Sequence, residues 1–251
     1  MELKRYFIEL SYKGTNYNGW QIQPNGVTIQ GEINKILTLL NHNQPINIVG
    51  CGRTDTGVHA SKFFAHFDFK SINDTTTFVF KMNNMLPKDI AIHQLTEVKP
   101  DAHARFDATS RTYHYNITKN KNPFLIDTAL LFTQPLDIEK MNKAASILLT
   151  HTNFECFSKV KTDVTNFNCT VTKAQWVKTE NGYTFIISAN RFLRNMVRAI
   201  VGTLLEVGTN KISIKDFEQI ILSKNRNQAG KSISANGLFL VEVKYPYKVL
   251  Y

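Results

Sequence analysis

The chain has 251 residues, 43% of them apolar and 20% charged, with no low-complexity tract, so it reads as an ordinary folded protein able to bury a substantial core. Its formal charge is +10, with 14 basic and 10 acidic side chains in residues 1–125 and 16 and 10 in residues 126–251; a spread excess suits a large polyanion held across a broad surface, or merely a soluble basic protein. Cys51, Cys156 and Cys169 form no C-x-x-C pair, and neither a signal peptide nor a membrane span of roughly 18 apolar residues is legible, which leaves no disulfide framework or zinc site and points to a reducing cytoplasm.

Residues 5–12 alternate apolar and polar side chains and predict a strand. Thr28 then caps an amphipathic helix with Ile29, Ile33, Ile36, Leu37 and Leu40 on one stripe. The apolar run from Ile46 to Cys51 reads as a buried strand that empties into GRTDTGVHA, residues 52–60. Glycines around Arg53, Thr54, Asp55 and Thr56 suit a loop that holds a reactive group or a ligand at a fixed height, or else a tight turn with a solvated Asp. Beyond the loop, 63–69 alternates again, 76–85 is helical up to the stop at Pro87, and 90–98 is a strand.

A second series starts with a strand at 111–117, its aromatics on alternate positions. Asp137 begins a helix through Leu149, a Cys- and Lys-bearing loop follows, and strands are expected at 171–178 and 183–188. Helices come next, from about 192 to 207 and from 213 to 222, and 238–245 closes as a strand. The expected class is α+β in two consecutive sheet-plus-helix halves, 1–104 and 105–251, with a cleft between them as the natural ligand site.

Asp55-Thr56-Gly57 matches the short signature of aspartic proteases, but those enzymes need two carboxylates sharing a proton, and Arg53 favours an ionised Asp55 instead. The phosphate-cradling G-x-x-x-x-G-K-[ST] pattern is absent. An ionised carboxylate at a strand end can act as a nucleophile or stabilise a developing sugar cation. Arg198 lies inside the apolar stretch 196–205; on a packed helix face it needs an anion, either Asp55 or an RNA phosphate, unless it snorkels to water along a stripe with Arg191 and Arg194. Tyr113 offers a ring for base stacking and a hydroxyl, or packs as a core aromatic. Asp107 reads as a turn or cap residue, and His59, His66 and His103 as structural or surface groups.

Six blocks then combine: GWQIQPNGVTIQGEINKIL, CGRTDTGVHA, HARFDATSRTYHY, NFECFSK, SANRFLRNMVRAIVG and GLFLVEVKYP. From Tyr12 to Pro246, and in this order, they resemble the tRNA pseudouridine synthase A family. The resemblance implies an enzyme that isomerises uridine to pseudouridine in the anticodon stem-loop of tRNA, around positions 38 to 40. It also implies a continuous bent mixed or antiparallel sheet with helices on one side and a central basic cleft, in a homodimer using no cofactor or metal. By the same resemblance Asp55 is the catalytic residue, Arg53 its partner, Tyr113 the uracil-stacking residue, Arg198 the helix arginine and Leu238 a pocket-lining residue. Ser234 departs from the Pro that many relatives carry, which puts the shape of the last loop in question. A non-catalytic RNA-binding protein on the same fold is the competing expectation, and it has no use for a carboxylate that repels phosphate.

Overall fold

The structure, a computed structural model, describes residues 3–160 and 164–247. Nine strands and five α-helices are present among the described residues, joined by three short 3-10 turns. Strand pairings include both antiparallel and parallel partners, so the class is a mixed α/β arrangement. By internal packing the chain divides into two compact units, Met1–Thr109 with Leu240–Tyr251, and Ser110–Phe239. No helix among the described residues is long and apolar enough to cross a membrane.

The first unit contains β1 (Lys4–Tyr12), α1 (Ile29–Leu40), β2 (Val49–Gly50), β3 (His59–Phe69), α2 (Thr75–Met85) and β4 (Ile90–Val98). Strand β1 is central and antiparallel to both neighbours, with Phe7 opposite His66 on β3 and Ile8 opposite Leu95 on β4. The expected alternation in β1 gives way at Tyr6, Phe7 and Ile8, each no more than 1% exposed, because both faces of this strand are covered. Tyr245, for example, lies edge-on to Phe7 at 5.7 Å and to Phe64 at 5.5 Å. Thr28 caps α1 as expected, its hydroxyl accepting from the Gly31 N–H at 3.2 Å. Helix α2 starts one residue earlier than the sequence pattern suggests, because Asp74 caps it through the Thr77 N–H at 2.9 Å.

The buried strand expected over 46–51 is a two-residue one. Val49 and Gly50 pair with β3, the Cys51 N–H adds a bond to the Phe64 carbonyl at 2.8 Å, and Val49 is exposed while Ile48 is fully buried. Burial of Ile48 and Cys51 produced the apolar signal without an extended ladder.

The second unit contains β5 (Ser110–Thr118), β6 (Leu130–Leu131), α3 (Ile138–Ile147), β7 (Val171–Thr179), β8 (Gly182–Ala189), α4 (Met196–Gly208) and α5 (Ile214–Ser223). Strand β9 (Leu238–Lys244) begins in this unit. Strand β8 lies between antiparallel β5 and β7, with Phe185 opposite both Tyr115 and Trp176, while short β6 runs parallel beside β5. Asp137 caps α3, and a capping box of Ser213 and Asp216 starts α5. The loop after α3 runs partly through 161–163, outside the described residues.

Helix α4 is buried along nearly its whole length, with Ala199, Ile200, Val201 and Leu204 at 0% exposure. Its start corrects the expected helix from 192: Asn195 sits in the left-handed region at φ 67, which ends any helical run reaching it from Arg191. Arg191 and Arg194 therefore precede the helix, and the three-arginine snorkelling stripe does not form. Arg198 is the helical member of the three.

Candidate active site

Asp55 opens a tight turn in the first unit. The Val58 N–H donates to the Asp55 carbonyl at 3.1 Å, and Gly57 supplies the positive φ of 77° that such a turn needs at its third position. The loop is then clamped to the segment following β1. The Trp20 N–H donates to the Thr54 carbonyl at 3.2 Å and the Gly57 N–H to the Tyr17 carbonyl at 3.3 Å. The Tyr12 and Thr54 hydroxyls meet at 2.9 Å, made possible by a register shift in β1 between Leu10 and Tyr12.

The close approach depends on Gly19. At φ 81 a Cβ there would lie 2.3 Å from the Thr54 carbonyl oxygen and 3.0 Å from the Asp55 carbonyl carbon. Any larger residue would push the Asp55 backbone away. Asp55 itself is half-buried on this rigid turn, between buried Thr54 and exposed Thr56. A carboxylate on a backbone so held suits attack on, or charge stabilisation at, a docked substrate atom.

Arg53 is exposed, and among the described residues it makes no hydrogen bond or ion pair, so it does not pair with Asp55. It lines a cavity of about 240 Å³ with Trp20, Gln21, Gln30, Gly52 and Arg105. The guanidinium of Arg105 lies 5.8 Å from the centre of the Phe106 ring, which is 76% exposed. Two arginines and exposed aromatic surface beside the Asp loop form a surface chemically suited to phosphate and to an unstacked base.

Three of the histidines of this unit, His59, His66 and His103, are structural. His59 is fully buried, and its Nδ1 accepts from the Gly14 N–H at 3.0 Å. His66 accepts from the Ala104 N–H at 3.1 Å, and burial, aided by His103, lowers its pKa to about 4. His103 lies 4.6 Å from His66 and accepts from the Arg105 N–H at 3.1 Å. Asp107 accepts from the Tyr247 hydroxyl at 2.6 Å and the His103 N–H at 2.8 Å, bonds that hold its carboxyl below the usual range; it is a turn cap.

Tyr113, Arg198 and Leu238 belong to the second unit, so Asp55 and Arg53 come from one unit and these three from the other. Tyr113 is half-buried on β5 opposite Ile187, its ring 5.1 Å from Phe192 at 88°. It shares a strand face with Tyr115, two residues on, which is the core aromatic of the pair. The Tyr115 hydroxyl donates to the Ser234 carbonyl at 2.9 Å. Arg198 donates from Nε to the preceding carbonyl, that of Ile233, at 2.6 Å, and the Ile233 N–H returns a bond to the Arg198 carbonyl at 3.3 Å.

One short stretch of backbone, 233–234, is thus anchored by both the Arg helix and the Tyr strand. Gly202 lets the stretch come close to α4, since a Cβ there would meet the Lys231 carbonyl at 1.9 Å. Ser234 turns its hydroxyl to Asn236 at 2.5 Å, and Asn236 holds the Ile126 and Ala129 carbonyls at 3.0 and 2.9 Å, so the loop with Ser in place of Pro is pinned by hydrogen bonds. Leu238 is 5% exposed at the first position of β9.

Several supports were not singled out in the sequence: Tyr12, Gly19 and Trp20 under the Asp loop, and Tyr115, Asn195 and Ser232 around the 231–234 segment. The signal for the first group was present in NGWQ, where a Gly precedes a large aromatic just beyond a strand end.

Among the described residues no group of three or more His, Cys, Asp or Glu side chains is placed to hold a metal ion. The three cysteines are buried and in no disulfide among the described residues, and burial raises the Cys156 and Cys169 thiols to about 12 and 11. Asp55 stands on the turn whose backbone placement is set by Gly57 and Gly19.

A family profile described as tRNA pseudouridine synthase matches residues 144–246. The tRNA pseudouridine synthase A of Parabacteroides distasonis is 49% identical over 245 residues, covering 97% of each chain. That of Bacteroides fragilis is 50% identical over 252 residues, covering 99% of each, and that of Clostridium acetobutylicum is 37% identical over 245 residues. Identity at this level over essentially full length means that the chain belongs to the tRNA pseudouridine synthase A family.

Proposed function

We propose that this chain isomerises uridine to pseudouridine in the anticodon stem-loop of tRNA, around positions 38 to 40, with Asp55 as its catalytic carboxylate. The observation that carries the reading is the Asp55 turn: a half-buried carboxylate on a backbone locked by Gly57 and packed onto Gly19. Family membership and the +10 charge support the tRNA substrate. The reading assigns the Asp loop to the 1–104 half and the Tyr strand and Arg helix to the 105–251 half. It takes the strands as one continuous bent sheet with helices on one side and a basic cleft at its centre. A cytoplasmic homodimer completes it, on the strength of the family resemblance.

In the reaction the bond from ribose C1′ to uracil N1 breaks, the base turns, C1′ bonds to C5, the C5 proton leaves and N1 gains one. The target atom is shielded by stacking, so the nucleotide must first be extruded, at about a few kcal/mol. Exposed Arg53 and Arg105 supply phosphate contacts remote from the reacting bond, and stacking on Tyr113 supplies more. Asp55 serves by attacking C1′, by adding to C6 or by removing a ribose proton; each route needs one fixed carboxylate and no separate base. The detached uracil is retained by the Tyr113 ring and the buried Leu238 side chain, and the Tyr113 hydroxyl relays the C5 proton. Arg198, held at Nε by the Ile233 carbonyl, brings a fixed positive charge to the reading.

The test is to map pseudouridine in tRNA from cells with and without this protein. The expected result is loss at one or more anticodon-arm uridines. An unchanged map would refute the reading.

A further inference from the structure

The second unit holds a cavity that the proposed chemistry does not use. Its volume is about 340 Å³, near the lower end of ligand-binding cavities, and its lining includes Glu155, Ser158, Lys159, Phe167, Lys224 and Arg226. Three cations face one carboxylate there. Neither Lys159 nor Lys224 makes a salt bridge among the described residues, and both are exposed, so their charges are available to a ligand.

Two local features suggest that the cavity is built rather than incidental. Lys224 ends α5 in the left-handed conformation at φ 53, where glycine is the usual residue because a side chain there costs about 1 kcal/mol. Ser158 is only 3% exposed, yet the one hydrogen bond its hydroxyl makes among the described residues is a 3.5 Å contact to the Lys159 carbonyl, at the outer limit of such bonds. A buried hydroxyl so weakly satisfied is a ready donor to an anion.

Arg226 sets the floor of the field. Its Nη1 donates to the Ala229 and Gly230 carbonyls at 3.2 and 3.1 Å, and its Nη2 to the Ser232 hydroxyl at 2.8 Å, so its positive charge is immobile. Phe167, half-buried, adds an aromatic ring to the same lining. Fixed positive charge, two ammonium groups with no ion pair among the described residues, a hydroxyl donor and an aromatic ring together match a nucleotide.

We infer that this cavity is a second RNA subsite, in which Lys159, Lys224 and Ser158 hold a backbone phosphate and Phe167 receives the base of a nucleotide other than the reacting uridine. The inference rests on the tRNA reading above and adds a contact that positions the RNA without touching the reaction.

The test uses the full chain with three changes: the double variant Lys159→Ala with Lys224→Ala, and separately Glu155→Gln. Equilibrium binding of tRNA is measured over a salt series, together with kcat and KM for pseudouridine formation. The double variant is expected to bind on the order of ten-fold more weakly, with the slope of log Kd against log salt reduced by about 1, for the one phosphate no longer neutralised. Its kcat at saturating tRNA should stay within about two-fold of wild type. Glu155→Gln should shift Kd the other way, because it removes the one negative charge in the lining.

Unchanged affinity and slope in the double variant, with wild type binding and modifying tRNA normally, overturn the inference alone. Wild-type protein that neither binds nor modifies tRNA overturns the functional reading and this one with it. A third arm titrates uridine and adenosine monophosphates. Micromolar binding of either to wild type, lost in the double variant, would assign the cavity to a free nucleotide and contradict the RNA subsite.

Discussion

The 52–58 loop and the 231–234 segment are both irregular backbone packed against other parts of their own unit, and they lean on different kinds of contact. Backbone contact holds the first: Gly19 lets the chain approach Thr54 and Asp55, and two main-chain hydrogen bonds, from Trp20 and Gly57, clamp it. Side chains hold the second, with Arg198 on the Ile233 carbonyl, Tyr115 on the Ser234 carbonyl, and Arg226 and Asn195 on the Ser232 hydroxyl. The difference decides what a substitution reports. Asp55 can lose its charge while its loop stays in place, whereas Arg198 cannot be changed without loosening the chain it supports.

The sharpest way to break that contrast is Gly19→Ala. The left-handed φ and the approach to the Thr54 carbonyl together predict a stability loss on the order of 3 kcal/mol and a fall in kcat of about 100-fold as Asp55 shifts. Denaturant unfolding and single-turnover kinetics would read both. Wild-type values would mean that backbone proximity does not set the Asp55 position.

Arg198→Lys sharpens the other side. Losing the 2.6 Å bond from Nε predicts about 1–2 kcal/mol of stability lost together with activity. Lost turnover with unaltered stability would show that Arg198 acts on substrate alone.

A smaller effect concerns pH. His66 is buried neutral beside His103, Arg5, Asp68 and Asp107, with its pKa lowered from 6.5 to about 4. The unfolded chain therefore binds an extra proton between these values, so the contribution of His66 is complete above about pH 6.5 and is lost as pH falls toward 4. Urea midpoints at pH 7 and pH 5 should differ in wild type, and the difference should shrink in His66→Gln. An equal difference in both would assign the acid sensitivity elsewhere. Smallest of all, Ser234→Ala removes the hydroxyl's bond to Asn236 and its long 3.5 Å contact with the Tyr115 hydroxyl while Asn236 keeps both its carbonyl contacts, which predicts a loss of about 0.5–1 kcal/mol and near-normal turnover. A larger change would mean that the hydroxyl, not Asn236, orders the last loop.

Much of the architecture was legible because local signals were strong. Thr28, Asp137 and Ser213 cap the helices they precede, and the strands at 90–98 and 111–117 follow their apolar patterns closely. The misread helix start had a physical origin: the residues from Phe192 to Met196 carry an apolar helical pattern, but Asn195 takes a positive φ that no periodicity reveals. The short β2 was overread because Ile48 is buried outside the ladder and Cys51 adds a single backbone bond to Phe64 beyond it.

At the site, Asp55 stood out through its glycines and its polar neighbours. The carboxylate partner expected in Arg53 did not appear, since proximity in sequence does not direct a flexible guanidinium. Tyr12 and Gly19 escaped notice because their importance lies in contacts with residues more than 30 positions away.

The most direct test of the central claim is tritium release from tRNA labelled at uridine C5, comparing wild type with Asp55→Asn. The account predicts a loss of turnover of about 10⁴-fold or more, with unfolding midpoint and tRNA affinity preserved. Release at the wild-type rate from the Asn variant would contradict it.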